Sequence, residues 1–309
     1  TDPCNFDSAF RTGPNAAPVE ARCLAQGIPA NVLPTYRQSN SQIDALAGGN
    51  PELEEEKADT FTFGVVWEPD FVDRLSLSVD YYDIEVEDAI SFVDPSLVVS
   101  NCFNGNGGNP NYDPNNEFCQ LFGRFAATSE IADLLEVQNN IGGIRTSGID
   151  FQADWGFDIG GAGDIGLNLV ASFVNEFERQ ELEGEPWLDY AGTIGDDPAE
   201  TIPDYKLTLT GTWGLGPVTT SLRARYIPSM DHEDTVINPN STIEGVDSII
   251  YLDLSAMWQV TDEFSVRAGV INLTNEDPEL YSPSVDSNTD PSTYDVIGRR
   301  YFVNARYRF

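Results

Sequence analysis

The sequence has no apolar run that could form a membrane-spanning helix, which needs about 18 or more consecutive apolar residues. Cationic residues are scarce as well, with 16 Lys and Arg against 51 Asp and Glu and a formal net charge of -35. Because nucleic-acid affinity depends on cationic side chains that displace counterions, this balance excludes a nucleic-acid partner. The hydrophobic fraction of 40% and the aromatic fraction of 11% exclude a disordered acidic chain.

Familiar catalytic motifs are also missing: the sequence has no GxSxG, no HExxH and no phosphate-binding loop. We therefore predict no enzyme activity, no cofactor and no metal site. The single histidine, His232, lies in DHED at 231–234, which is either a divalent-cation site or, as we expect, a solvated acidic loop. Since an initiator Met and a signal segment are absent, we expect processing or a piece of a longer chain.

Only four cysteines are present, and they form two local pairs, Cys4 with Cys23 and Cys102 with Cys119. Both pairs lie in loop-like sequence rich in Asn, Gly and Pro. A zinc site is the alternative, but neither pair has CxxC spacing and one histidine cannot complete the ligands. We predict two disulfides and an oxidising compartment.

Apolar residues recur at every second position in about nine segments of roughly ten residues each. Successive side chains of a β-strand point to opposite faces, so each segment predicts a strand with one apolar face. Trp and Tyr cluster near the segment ends, as membrane interfaces favour. The charged side chains lie on the opposite face, which we predict to line a polar lumen; they include Lys206, Arg223, Arg225, Asp253, Arg267, Arg306 and Arg308.

The connections between these segments alternate in length. Long loops at one end and short turns at the other are typical of a transmembrane β-barrel, with extracellular loops and periplasmic turns. A soluble β-sandwich is the alternative, but its strands are shorter and its cores seldom place aromatic residues at both margins. We predict an all-β fold, a portion of an antiparallel transmembrane β-barrel. The short connections are 68–73, 157–163, 214–217 and 260–263, and the long ones cover roughly 87–140, 175–202, 228–247 and 274–297.

Four segments, in a fixed order, resemble motifs of TonB-dependent outer-membrane receptors. They are NPELEEEKADTFTFGVVWEP at 50–69, RTSGIDFQADW at 145–155, VINLTNEDP at 270–278 and GRRYFVNARYRF at 298–309. The second is similar to the family's T-x-G-x-D strand, the third to the N-L-x-(D/N) close of its penultimate strand, and the last to its terminal strand. Each motif alone is weak, whereas the ordered set is specific.

The resemblance implies a 22-stranded barrel around an N-terminal plug, which imports scarce solutes with energy passed on by TonB. The sequence shows neither a plug-like segment nor a TonB box. We therefore expect about nine C-terminal strands of such a barrel, with the plug and the earlier strands outside this chain. Residues 1–58 are expected to be mostly an extracellular loop with a disulfide, and residues 59–309 the C-terminal strands and their loops.

The same resemblance implies the outer membrane of a Gram-negative bacterium. The expected partners are outer-membrane lipid and lipopolysaccharide, the TonB complex through the plug region, the barrel-assembly machinery and a small solute. Phe309 matches the end signal that the assembly machinery reads in this family, and an interfacial aromatic anchor is a compatible interpretation. A passive porin or a surface adhesin barrel is the alternative function, and a soluble secreted β-domain is a third.

The loop at 176–200 is strongly acidic and also contains Trp187 and Tyr190. Its carboxylates serve either solubility or cation-bridged contact with lipopolysaccharide or a metal-bearing substrate. Aromatic rings on an outer rim can stack on a sugar ring or a siderophore catechol. Trp187 and Tyr190 are therefore candidates for substrate contact, with packing of the loop as the alternative.

Overall fold

The computed structural model describes residues 2–39, 43, 45–93, 95–105, 107–140, 142–181, 184–195, 201–281 and 288–309. The chain divides into two compact units. Unit 1 comprises Thr1–Lys57, Glu87–Gly143 and Gln180–Glu185, and unit 2 comprises Ala58–Val86, Ile144–Arg179 and Pro186–Phe309. None of the helices in the described part of the chain has the length and hydropathy that a membrane crossing requires.

The main feature of unit 2 is a sheet of long strands in which neighbours along the chain are neighbours in the sheet. Its path contains nine strands, as the alternation predicted. They are β1 (Lys57–Trp67), β2 (Leu75–Glu87), β3 (Gly143–Asp158), β4 (Asp164–Gln180), β5 (Tyr205–Leu215), β6 (Val218–Ile227), β7 (Ile249–Gln259), β8 (Phe264–Ile271) and β9 (Arg300–Tyr307). Sequential antiparallel strands joined by alternating short and long connections confirm the predicted barrel-type fold.

The strand register keeps the two predicted faces separate. Leu209 of β5 lies opposite Ala224 of β6 and Leu169 of β4, so apolar residues meet on one face. Thr210 of β5 lies opposite Arg223 of β6, which in turn lies opposite Asp253 of β7. If one strand shifted by one residue relative to its neighbour, its apolar and charged side chains would exchange faces. The observed pairing therefore keeps the charged side chains on one face and the apolar side chains on the other.

The apolar face of the sheet is widely exposed. Phe63 is 63% exposed, Tyr301 74% and Val303 77%. Monomeric soluble proteins rarely expose contiguous apolar surface on this scale, so the face requires a non-aqueous neighbour. Aromatic rings contact one another along its margins, in the pairs Phe61–Tyr81, Phe173–Tyr205, Tyr205–Tyr226 and Tyr307–Phe309.

The turn before β4 contains a glycine that no other residue can replace without strain. Gly163 has a φ of 104°, and a Cβ built on it would lie 2.0 Å from the carbonyl oxygen of Gly214. The adjacent Trp213 donates a 2.8 Å hydrogen bond from its indole Nε1 to the carbonyl oxygen of Ala162. This short connection is therefore held against the next one by backbone proximity, in agreement with the compact turns that the sequence predicts.

Unit 1 contains short helices and small sheets, so the long loops are not purely β-structured. Its α-helices are Ala9–Thr12, Ala16–Ala25, Pro95–Cys102 and Glu117–Gln120, with a 3₁₀ turn at Leu33–Thr35. Strand Leu134–Asn140 pairs with Ala45–Gly48 and Ile90–Phe92, and Gly123–Arg124 pairs with Ile131–Ala132. The Ala-rich segment AAPVEARCLA favours a helix, because Ala loses no side-chain entropy there.

Both predicted disulfides are present in unit 1. The Cα atoms are 5.8 Å apart in Cys4–Cys23 and 4.8 Å apart in Cys102–Cys119. The helix that carries Cys23 also carries Arg22, whose Nη2 donates to the sulfur of Cys102 at 3.7 Å. Covalent closure of two short loops thus supplements a small core, as it does in other small disulfide-containing lobes.

A buried ion pair organises the rest of unit 1. The guanidinium of Arg124 donates to both carboxylate oxygens of Asp2, at 2.7 and 2.9 Å, and the two side chains are 3% and 0% exposed. The hydroxyl of Tyr36 donates to the same carboxylate at 2.8 Å. Burial, with the neighbouring Asp2 charge, raises the pKa of this hydroxyl above its usual range, so Tyr36 stays protonated.

Candidate ligand-contact site

Two loops of unit 2 meet at the long-loop end of the sheet. Strand Thr193–Ile194 pairs in parallel with strand Asp231–His232, and Met230 forms an antiparallel bridge with Val246. A four-residue helix, Asp234–Ile237, follows the second strand. The loops after β4 and β6 are therefore joined by backbone hydrogen bonds into one structure.

An apolar cluster beneath these loops fixes them to the sheet. Tyr251 of β7 is fully buried and Ile249 nearly so. Burying a side chain of this size stabilises the fold by about 1.5–3 kcal/mol, so the loops are held firmly. The cluster consists of Ile194, Ile227, Met230, Val246, Ile249, Tyr251 and Tyr294, and Tyr281 packs against it.

A network of charged groups lies beside this cluster on the polar face of β6 and β7. Asp253 is 8% exposed and accepts hydrogen bonds from Arg223 Nε and Nη2, at 2.9 and 2.7 Å. Its other oxygen, Oδ1, accepts from the backbone N–H of Asn272 at 2.9 Å, whereas Arg225 Nε lies 3.5 Å from Oδ2, the oxygen that Arg223 contacts. Asp253 is thus a buried carboxylate with charge-assisted partners on two sides.

A second polar link connects the loop after β8 with the sheet. The hydroxyl of Tyr251 accepts a 3.3 Å hydrogen bond from the backbone N–H of Asp295, whose carboxylate pairs with Arg300 at 2.9 Å. Burial, together with the negative charge of Glu279, raises the pKa of the Tyr294 hydroxyl in the same loop. These contacts position the loop between β8 and β9 over the end of the sheet.

Trp187 is partly exposed, and its ring is held by a charged side chain. The guanidinium carbon of Arg145 lies 3.9 Å from the ring centroid. Arg145 in turn donates from Nε to Glu85 Oε1 at 2.8 Å. A cation over an indole ring contributes about 0.5–2 kcal/mol, so the orientation of Trp187 is constrained before any ligand arrives.

Tyr190, the other aromatic candidate in this loop, is fully buried. Its backbone N–H donates to the carbonyl of Phe177 at 2.8 Å, and its own carbonyl accepts from the backbone and the hydroxyl of Thr193. A ring with no exposed surface packs the loop in this conformation. The structure therefore separates the two candidates, because Trp187 is partly exposed and Tyr190 is buried in the loop.

The acidic stretch and the histidine show no cation-binding geometry among the described residues, where no group of three or more His, Cys, Asp or Glu is arranged around a common point. Nδ1 of His232 accepts from the backbone N–H of Asp234 at 3.2 Å, and the His232 ring lies 6.0 Å from that of Tyr281. Four acidic positions of the 176–200 stretch, Glu183, Asp196, Asp197 and Glu200, lie outside the described residues.

The remaining charged candidates occupy one face of β5, β8 and β9. Arg267 of β8 lies opposite Asn304 of β9 and donates to Ser255 Oγ at 3.0 Å. Lys206 lies opposite Ser172, and Arg306 lies opposite Ser265. Arg308 follows the last strand, where its backbone N–H donates to the carbonyl of Glu263. Phe309 is fully exposed, with its ring 5.1 Å from that of Tyr307.

Sequence reasoning missed the residues that hold these candidates in place. Arg145 contacts the ring of Trp187, and Glu85 accepts a hydrogen bond from Arg145. These two residues precede Trp187 by 42 and 102 positions in the sequence, respectively. Tyr251 and Asp295 anchor the loops, yet neither stands out from an alternating strand or an acidic loop. A local sequence pattern does not predict such contacts, because they depend on which strands and loops are neighbours in the folded structure.

Unit 1 holds a separate cavity of about 860 Å³. Asn50, Glu52, Glu117 and Phe118 are among its lining residues, and none of the lining residues is Lys or Arg. Asn50 Nδ2 donates to Asn139 Oδ1 at 3.0 Å, and Asn50 Oδ1 accepts from the backbone of Glu52. These polar groups of the wall are thus engaged with each other.

Comparison with known proteins identifies the fold. The family model described as "TonB dependent receptor-like, beta-barrel" matches residues 13–273. A comparison with curated proteins yields no significant match.

Several solved structures share the fold at low sequence identity. A variant of the ferric enterobactin receptor PfeA from Pseudomonas aeruginosa, in complex with enterobactin, has a TM-score of 0.53 and 12% identity over 84% of this chain. The siderophore receptor PirA from Acinetobacter baumannii has a TM-score of 0.51 and 13% identity over 86%. The outer membrane transporter YddB from Escherichia coli has a TM-score of 0.51 and 12% identity over 88%. This chain spans 32%, 33% and 35% of their lengths, respectively.

Proposed function

The chain belongs to the TonB-dependent receptor β-barrel family, and we propose that it is the C-terminal part of an outer-membrane receptor that imports a scarce solute into the periplasm with energy from TonB. In this proposal residues 59–309 supply barrel strands and loops, and residues 1–58 are mostly an extracellular loop. The plug and the earlier strands belong to sequence outside this chain. The compartment is the outer membrane of a Gram-negative bacterium.

The observation that carries the proposal is the separation of faces in the nine-stranded sheet. Lipid hydrocarbon tolerates the exposed row of Leu, Val, Phe and Tyr side chains, whereas charged side chains require a wet interior. Lys206, Arg223, Arg225, Asp253, Arg267, Arg306 and Arg308 are the residues that we assign to the lumen. Phe309 then lies at the periplasmic end, where the barrel-assembly machinery would read it.

Of the two aromatic candidates, we propose that Trp187 contacts the solute, because its ring is partly exposed whereas that of Tyr190 is buried. The ring of Trp187 is oriented by Arg145, and a second planar or sugar ring can stack on an indole that is already fixed in this way. A siderophore, a carbohydrate or a similar scarce solute fits this contact. Tyr190 contributes by packing the loop that carries Trp187.

Transport by the complete receptor is the direct test. Cells that produce the full-length protein should accumulate a cognate siderophore or oligosaccharide, and removal of TonB should abolish that accumulation. Uptake should be followed with labelled solutes in matched strains with and without the receptor gene. Accumulation that depends on the receptor but is unchanged without TonB would identify a passive porin instead.

Replacing Trp187 should weaken solute binding without affecting assembly. We expect Trp187→Ala to raise the Kd of the purified receptor for its solute by about 2- to 10-fold, since loss of one ring contact removes about 0.5–1.5 kcal/mol. Trp187→Phe, which keeps a ring, should lose less. Binding should be measured by titration calorimetry at equal receptor levels, and identical Kd values for the Ala variant and the parent would remove Trp187 from the site.

A further inference from the structure

Charge on the polar face of the sheet is divided by sign. In β1 to β4, the positions on this face contain carboxylates and no Lys or Arg, with Asp80, Asp150, Asp154, Asp158, Asp164, Glu176 and Glu178 among them. In β5 to β9, the same face holds Lys206, Arg223, Arg225, Arg267, Arg300 and Arg306, with Asp253 as the carboxylate. On this face the cations are therefore concentrated in one sector of the wall, whereas Lys57, Arg145 and Arg179 of β1, β3 and β4 occupy the alternate positions.

The register places five of these cations at successive heights. Lys206 lies at the outer end of β5, and two residues further along, Thr208 is opposite Arg225 and Thr210 opposite Arg223. Arg223 is level with Asp253 of β7. Arg267 is level with Met257, and Arg306 lies opposite Ser265, which is itself level with Gln259. With about 3.3 Å per residue along a strand, the stripe covers roughly 30 Å from the long-loop end to the short-turn end.

We call the set Lys206, Arg225, Arg223, Arg267 and Arg306 the basic stripe. Asp253 neutralises its middle only in part, because one carboxylate serves both Arg223 and Arg225. Arg267 has Ser255 as a hydroxyl partner. Neither Lys206 nor Arg306 forms an ion pair with any described residue of this chain.

A depression of about 340 Å³ lies in the middle of the stripe. Arg223 and Arg267 both line it, together with the hydroxyl-bearing residues Thr210, Ser221 and Ser255 and the carboxylate of Asp253. Two guanidinium groups beside hydroxyl donors match the geometry that carboxylate, phosphate and phenolate groups require. A depression of this kind could hold one such group.

We propose that the basic stripe is a binding path for the anionic groups of the transported solute, which makes the solute an anion. The path rests on the proposed function, since it requires this face to line the lumen. The exposed acidic loops do not cancel the positive potential of the basic stripe, because charges more than about 8 Å away are largely screened at physiological ionic strength. Successive weak sites would allow an anionic group to pass from the loop end to the turn end without being trapped.

The test uses full-length receptor in intact outer membranes and two thiol reagents of opposite charge, the anion methanethiosulfonate ethylsulfonate and the cation methanethiosulfonate ethyltrimethylammonium. All four cysteines of this chain are in disulfides, and receptor without an introduced cysteine is treated in parallel to measure any background reaction. Ser265→Cys places a thiol within the stripe, opposite Arg306. Gln152→Cys places one between Asp150 and Asp154 in the acidic sector, as the matched control.

We expect the ratio of anion to cation reaction rates to be at least about 10-fold higher at Ser265→Cys than at Gln152→Cys, because local potentials change encounter rates by 10-fold or more. Adding Arg267→Gln and Arg306→Gln should bring the ratio down towards that of the control. Equal ratios at both positions would overturn the path. Failure of either reagent to react at Ser265→Cys would also overturn it, since another part of the receptor would then cover the stripe.

A third variant separates this outcome from failure of the proposed function. Leu209→Cys lies on the apolar face and should resist both charged reagents if lipid covers it. If Leu209→Cys reacts as fast as Ser265→Cys, the membrane assignment is wrong, whatever the charge ratio is. If Leu209→Cys is protected while the anion-to-cation rate ratios at Ser265→Cys and Gln152→Cys are equal, the membrane assignment is retained and only the anion path is rejected.

Discussion

Leu209→Arg should largely abolish assembly of the receptor into the outer membrane. Leu209 lies near the middle of β5, with apolar neighbours Ala224 and Leu169 on both sides, and is 47% exposed on the face that we assign to lipid. An Arg on the lipid face near the bilayer midplane costs about 2–4 kcal/mol. The measurement is the amount of receptor in outer-membrane fractions, with its heat-modifiable mobility as the sign of a folded barrel.

The matched control is the adjacent position, Thr208→Arg. Thr208 points to the polar face, opposite Arg225, so a new Arg there meets water and a like charge rather than hydrocarbon. We expect assembly of Thr208→Arg to be close to that of the parent. Equal loss of folded receptor in the two variants would contradict the assignment of the faces.

Arg124→Met should strongly destabilise unit 1. The variant leaves the carboxylate of Asp2, which is fully buried, without its cationic partner, and it also removes hydrogen bonds to Gln26 and to the carbonyl of Ser129. Breaking one side of a buried ion pair costs about 3–5 kcal/mol. Hydrogen exchange of the helix Ala16–Ala25 in the full receptor should report this loss as faster exchange.

Two further variants give this prediction its controls. Arg37 pairs with Asp7 at the surface, where both side chains are about half exposed, so Arg37→Met should change stability by about 0–1 kcal/mol. In the double variant Asp2→Leu with Arg124→Met neither charge of this pair stays buried without its partner, and most of the protection should return. Exchange in Arg124→Met no faster than in Arg37→Met would show that the buried pair does not organise this unit.

The strands were predictable because their signal is local. An alternation such as that in YKLTLTGTW needs only the neighbouring residues, and each of the nine segments became a strand of the sheet. Lengths were less predictable: β3 and β4 contain 16 and 17 residues, against the roughly ten expected for a membrane-spanning strand. Their ends carry polar residues that belong to loops by composition but are held in the sheet by their neighbours.

Loop structure was harder to predict, because it depends on contacts between residues that are far apart in the sequence. The segment 129–137 is the one stretch whose spacing leaves a helix open, but it contributes strand Ile131–Ala132 and the start of strand Leu134–Asn140. Helix Ala16–Ala25 was not anticipated in a fold read as all β. Trp187 and Tyr190 looked equivalent in the sequence, and only burial distinguishes them, since one ring remains partly exposed and the other is enclosed by loops.

The sequence by itself determined the two-faced strands, the pairing of the four cysteines and the family, since each depends on residues close in the chain or on ordered short motifs. Only the tertiary structure decided which side chains meet across strands. It brings Arg145 to the ring of Trp187 and pairs Asp2 with Arg124 in unit 1. It also aligns the cationic residues from Lys206 to Arg306 along one face of the sheet. The physical reason is register. A hydrophobic pattern sets which face a residue occupies, whereas hydrogen bonding between strands sets the height at which it meets its neighbours.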